Sequence, residues 1–167
     1  MEKKTGNRLV WLLALVAVGV VLFLTLQPPE STQALSRSFI LEMRSFFKWL
    51  RNTELGRACG LGMPSWLRSP RQVRHWAHLP EYLLLGLCLW PALRRLLHGR
   101  MAAFFALLSA GALIALLDEG LKHYLPTREF DAGDLQLDLL GIALAALIAL
   151  GLSVLREKRR NSKEEKQ

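Results

Sequence analysis

The chain holds two cysteines in 167 residues, Cys59 and Cys88. One stands among glycines in a polar stretch and the other inside an apolar run, so no bridge between them is expected. No Cys-x-x-Cys pair is present to hold zinc. Acidic residues are also few. Fourteen Asp and Glu face 22 Lys and Arg, for a formal net charge of +8. A basic excess can serve nucleic acid, but here the basic residues flank apolar runs. Anionic lipid headgroups account for them better, so no nucleic-acid partner is expected. Charge is lacking in a third sense, because long stretches carry almost none. Hydrophobic residues make up 51% of the chain and are concentrated in blocks, which points away from a soluble core and toward a membrane protein.

Four blocks stand out, at about 9–26, 76–93, 101–117 and 135–155. The first, at about 1.5 Å per residue, nearly crosses the hydrocarbon core. A secretory signal is the competing reading of that block, but its apolar region would be shorter and Thr32-Gln33-Ala34 is a poor cleavage site, so an uncleaved anchor is expected. Four crossings place both chain ends on one side. The N-terminal residues, the 94–100 loop and the 156–167 tail hold twelve of the 22 basic residues in 27 positions, whereas 27–75 and 122–134 hold the other ten in 62. Short, dense basic segments stay in the cytoplasm, so both termini are expected there, in a multi-pass membrane protein.

The outer segment after the first block is more than a linker. Gln27-Pro28-Pro29 ends the first helix. Leu35, Phe39, Met43, Phe46 and Leu50 then recur at helical spacing, with Arg37, Arg44, Lys48 and Arg51 mainly on the other side. The pattern predicts an amphipathic helix over about 35–51 that lies in the headgroup layer or packs its apolar face on the bundle. Gly56, Gly60, Gly62 and Pro64 break the chain before Ser69-Pro70, which reads as a helix N-cap and first helical position. The expected fold is all-α: a single domain over 1–167, a four-transmembrane-helix bundle with an interfacial helix between the first and second spans.

This topology gathers polar residues in one layer. The second span begins with Arg74, His75, His78, Glu81 and Tyr82, the third ends in Asp118 and Glu119, and the fourth begins with Asp131, Asp134 and Asp138. Arg74, His78 and Glu81 share a helix face at spacings of i, i+4 and i+7, as do Asp134, Asp138 and Gly141. Pro80 is expected to bend the second span. Small residues below the two aspartates invite close helix approach. An ionised Asp138 a full turn inside the apolar run costs roughly 2–4 kcal/mol unless paired, and Arg74 and Arg128 are natural partners. Taken singly, each residue has a plain role: Asp131 as a helix cap, Arg74 snorkelling to headgroups, Trp76 and Tyr82 as interfacial anchors, His75 and His123 as polar interface residues. Taken together, the layer is a candidate site, with a purely architectural ion-pair network as the alternative.

In order, these residues resemble the VanZ-like family of bacterial membrane proteins. The family's Arg-Lys-x-x-His-x-x-Glu-Tyr element is similar to Arg74–Tyr82. Its Asp-Glu-x-x-Gln…Pro-Gly-Arg element is similar to Asp118-Glu119-Gly120-Leu121-Lys122 with Pro126-Thr127-Arg128. Its closing Asp-x-x-x-Asn/Asp-x-x-Gly is similar to Asp134, Asp138 and Gly141, and LQPPESTQALS is similar to a Ser/Gln/Pro stretch common there. The chain departs at His75, where the family has lysine, and at Lys122, where it has glutamine. The resemblance implies a plasma-membrane protein near cell-wall precursors or outer-leaflet lipids. The family is named for a member linked to resistance to the glycopeptide teicoplanin, and it implies no reaction.

Three functions are weighed. The first is an extracytoplasmic pocket for an anionic lipid-linked or cell-envelope molecule, with Arg74, Glu81, Tyr82, Lys122, Arg128, Asp134 and Asp138 as binding groups and the 35–51 helix as a lid. The second is an outer-leaflet enzyme acting on a lipid-linked cell-wall precursor, with His78 as general acid or base, Glu119 or Asp118 orienting it and the arginines stabilising developing charge. The lack of an obvious nucleophile such as a nearby serine counts against acyl transfer. The third is a partner-binding membrane scaffold. No resident cofactor is expected. A metal variant of the enzyme would use Asp118, Glu119, Asp134 and Asp138 with His78, a donor set that suits Mg²⁺ or Mn²⁺ better than Zn²⁺.

Overall fold

The structure, a computed structural model, describes residues 2–60, 62–125 and 130–164. Six helices follow one another: α1 (Glu2–Leu26), α2 (Pro29–Asn52), α3 (Glu54–Ala58), α4 (Pro70–Leu96), α5 (Arg100–Lys122) and α6 (Ala132–Glu164), with a 3₁₀ turn at Ser65–Arg68 before α4. The described residues contain no strand. Arg8–Leu26, Arg100–Lys122 and Ala132–Lys163 are long and apolar enough to cross a membrane. Their outer faces expose Leu12, Leu15 and Phe23 on α1, Phe105 and Leu113 on α5, and Leu147 and Leu152 on α6. Apolar surface on this scale is untenable in water and suits lipid.

The helix that falls short of that measure, α4, is the centre of the bundle and packs on α1, α2, α5 and α6. Its polar residues His78 and Tyr82 face those neighbours, whereas Leu84 and Leu96 stay exposed. It runs unbroken through Pro80 and Pro91. Val21 of α1, Tyr82 and Leu85 of α4, Ala115 of α5 and Ile142 of α6 form one buried cluster that ties these four helices together.

The close approach expected of α6 is present. A Cβ on Gly141 would stand 2.6 Å from the Leu79 carbonyl oxygen and 3.0 Å from Tyr82 Cβ, and one on Gly86 would stand 2.5 Å from Ala145 Cβ. Hydrocarbon does not drive apolar helices together, so this backbone proximity carries much of the association.

The turn chemistry is legible in the residues. Pro28 caps α2 and proline fills its first turn. Ser69 caps α4 through its carbonyl, which accepts the Val73 N–H at 3.0 Å, while its side chain makes no cap bond. The glycine-rich stretch opens with a short helix. Thr53 Oγ1 accepts the Gly56 N–H at 3.1 Å and starts α3. A Cβ on Gly56 would meet the Leu50 carbonyl, and Gly60 turns at φ 60°. Both cysteines are free.

Of the two readings of the amphipathic helix, packing on the protein is seen along one edge. Ile40 packs with Leu67 and Val73, and Met43 and Phe47 lean on the same cluster, so one edge of the apolar face sits on the protein. Leu35, Phe39, Phe46 and Trp49 on the adjoining edge stay exposed.

Candidate functional site

α1 ends, α2 begins, α4 begins, α5 ends and α6 begins at one end of the bundle, where they surround an open cleft of about 860 Å³. Because α4 starts at Pro70, the spacing of Arg74, His78 and Glu81 puts all three on the cleft wall. α5 continues one turn past the apolar block, to Lys122, and so carries Asp118, Glu119 and Lys122 on its last helical turns. Asp131 caps α6: its Oδ1 accepts the Gly133 N–H at 2.8 Å and its carbonyl accepts the Leu135 N–H at 3.2 Å. That cap is tied to the neighbouring helix, because the Asp131 N–H donates to Glu119 Oε2 at 3.2 Å. The start of α6 is thereby fixed to the end of α5.

The polar side chains form one connected network. His78 lies between two carboxylates, with Nδ1 2.8 Å from Asp138 Oδ1 and Nε2 3.3 Å from Asp134 Oδ2. His75 Nδ1 stands 2.6 Å from Asp134 Oδ1, so this histidine belongs to the network rather than to a plain interface. Lys122 donates to Glu119 and sits 3.7 Å from Asp134 Oδ2 and 4.0 Å from Asp118 Oδ2. From the first helix, the Thr25 hydroxyl reaches Asp118 Oδ1. α4, α5 and α6, the three helices expected to share a polar layer, meet in it, and α1 joins them through Thr25. Asp118, Glu119, Lys122 and Asp138 are all buried. The network does not use every polar atom: Asp138 Oδ2, Tyr82 Oη and Arg74 Nε are buried without a hydrogen-bond partner.

The candidate residues separate into distinct positions. Arg74, His78, Glu81, Asp118, Lys122 and Asp134 line the cleft. Glu119 and Asp138 lie behind it, fully buried. Tyr82 is also fully buried, in the cluster with Val21 and Ile142. Lys122 is occupied by carboxylates. Arg74 and Glu81 make no hydrogen bond or ion pair with any described residue, while Arg128 lies outside the described residues.

Three further groups join them. Thr25, the last hydroxyl of an apolar helix, reads as a tolerated polar residue in sequence and becomes a site residue only through its neighbour. Ser36 and Thr32 of α2 also line the cleft, so a serine is present after all. Its hydroxyl is committed to the Thr32 carbonyl at 2.8 Å, as helix-interior serines commonly are.

Chemically, such a cleft can hold an anion at an arginine on its wall and cations at its carboxylate floor. None of the curated proteins and none of the solved structures matches the chain. The family model described as VanZ/LLP1 matches residues 10–155, nearly the whole length. With its acid, histidine and arginine motifs in family order and its helices assembled around them, the chain belongs to the VanZ/LLP1 family.

Proposed function

We propose that this is a four-span protein of the bacterial plasma membrane whose cleft opens on the extracytoplasmic side and binds an anionic, lipid-linked or cell-envelope molecule. The observation that carries this reading is Arg74. Its side chain lines the cleft and its Nε is buried, yet it pairs with none of Glu81, Asp118, Asp131 and Asp134, the carboxylates that line the same cleft. A buried Nε with no partner among the described residues is costly, and an anionic headgroup in the cleft would satisfy the guanidinium with two parallel hydrogen bonds.

The surroundings support a lipid. Leu24, Leu35 and Phe130 on the rim offer apolar contact beside the polar wall. α2 presents exposed Phe39, Phe46 and Trp49, and Trp66 lies against Trp76 with ring centroids 6.4 Å apart, as an aromatic belt at a headgroup layer would. α4 counts as the fourth crossing: its 27 residues span about 40 Å, and the helices around it shield its polar turns.

Catalysis ranks second. An Asp138–His78 pair on a cleft wall is suited to general acid or base work, but the other ring nitrogen already faces Asp134, so His78 must release that carboxylate to reach a substrate. The test is mass spectrometry of what stays bound to the purified protein. The binding reading expects a specific anionic lipid that is lost in Arg74→Ala and retained in Arg74→Lys at lower occupancy. Retention of the same lipid by Arg74→Ala removes the clamp. Turnover of the lipid that His78→Ala abolishes while still binding it would move catalysis to first place. A teicoplanin-sensitivity change on expression, cancelled by Arg74→Ala, would connect the cleft to the resistance phenotype.

A further inference from the structure

His78, Asp118, Glu119 and Asp138 each offer one donor atom, and these atoms all lie within 4.8 Å of one another. Opposite ligands of a cation bound at about 2.1–2.4 Å stand about 4.2–4.8 Å apart, so the four can face one ion. The residues come from three helices, α4, α5 and α6, that meet only in the fold.

Two orphaned atoms indicate a missing partner. Asp138 is fully buried and its Oδ2 has no hydrogen-bond partner. Tyr82, also fully buried, has an unpartnered hydroxyl that feels the charges of Asp118, Asp138, Glu81 and Glu119. Carboxylates outnumber the basic groups bonded to them: Lys122 and the imidazoles of His75 and His78, of variable charge, serve Asp118, Glu119, Asp134 and Asp138, and Glu81 stands beside them unpaired among the described residues. Buried carboxylates in such excess need a counter-ion. The carboxylates are also held in place from outside, Asp118 by the Thr25 hydroxyl and Glu119 by the Asp131 N–H, and such supports commonly orient metal ligands.

We propose that His78, Asp118, Glu119 and Asp138 form a divalent-cation site whose affinity is set by the tethered ammonium of Lys122. Carboxylate oxygens with a single imidazole suit Mg²⁺ or Mn²⁺. Lys122 bonds Glu119 and stands 4.0 Å from Asp118, so it competes with a metal for two of the four ligands and repels it. Neutralising this lysine should therefore open the site rather than damage it. The inference goes beyond the headgroup clamp and does not need it, because the cation ligands form without Arg74.

The experiment titrates the full-length protein, purified in maltoside micelles and stripped with chelator, with Mn²⁺ alone, and reads free Mn²⁺ by electron paramagnetic resonance. One bound Mn²⁺ per chain, displaced by excess Mg²⁺, is expected. Lys122→Gln should tighten binding and Asp138→Asn weaken it, each by about tenfold or more. Stoichiometric binding absent from both the parent and Lys122→Gln overturns the proposal, as does Asp138→Asn binding like the parent. Should Asp138→Asn fail to fold, Lys122→Gln decides alone: tighter binding supports the site and unchanged affinity refutes it.

Discussion

α4 and α6 lie side by side, and the two halves of their shared seam are built from opposite materials. Around Gly86, Gly141 and Ala145 the backbones approach so closely that even an added methyl group has no room. One to two turns away, around His78, Asp134 and Asp138, the same helices meet through charged side chains and part to form a cleft. The tight half joins backbone to backbone and the polar half joins side chain to side chain. The difference suggests a division of labour: the glycine contacts set the distance and angle at which the carboxylates face the histidine. Such a pair tolerates substitutions differently in its two halves, and that can be measured by unfolding in detergent.

The largest effect is expected in the tight half. Gly141→Leu forces a side chain against the Leu79 carbonyl, and overpacking of this kind should cost about 3 kcal/mol or more and empty the cleft of ligand as the helices separate. A variant with parental stability would show that the seam does not fix the site. The hydroxyl-for-methyl exchange Thr25→Val keeps the shape of α1 and removes the bond to Asp118. A hydrogen bond to a charged group is worth about 1.5–3 kcal/mol, so its unfolding midpoint should fall clearly, but by less. Asp131→Ala removes the α6 cap bond at Gly133 and should cost about 1 kcal/mol, read from the same melts.

A small change is expected at the opposite end of the bundle. Arg100 pairs with Glu157 where both are partly exposed, so Arg100→Ala should lower stability by no more than about 1 kcal/mol and leave bound lipid unchanged. A loss at Arg100 equal to that at Thr25 would remove the contrast between the two ends. Arg74→Ala should do the reverse of a packing variant: stability held within about 0.5 kcal/mol, ligand lost.

Much of the arrangement can be read from particular residues. Pro28-Pro29 and Ser69-Pro70 mark helix starts because proline suits the first turn and cannot continue a preceding helix. Arg74, His78 and Glu81 share a face because helical spacing is fixed, and Asp131 caps α6 because aspartate does so generally. Other features could not be read this way. Lys122 resembles a free cation until Glu119 and Asp134 are seen on either side of it. His75 and Thr25 resemble bystanders until Asp134 and Asp118 reach them. Composition also misleads about α4, whose polar turns lower its apolar character although it is the innermost helix.

What the sequence determined by itself is local: which segments are helical, where they start, which faces carry charge, and that the acids and histidines fall at corresponding ends of successive helices. These follow from periodicity and backbone chemistry, which act over a few residues. Only the tertiary structure decided which carboxylate holds which base, that Arg74 and Asp138 keep atoms unpaired, and that α4 is central. Such pairings depend on distances between residues about 60 to 90 positions apart, and those distances are set by close packing between helices, which no single segment encodes.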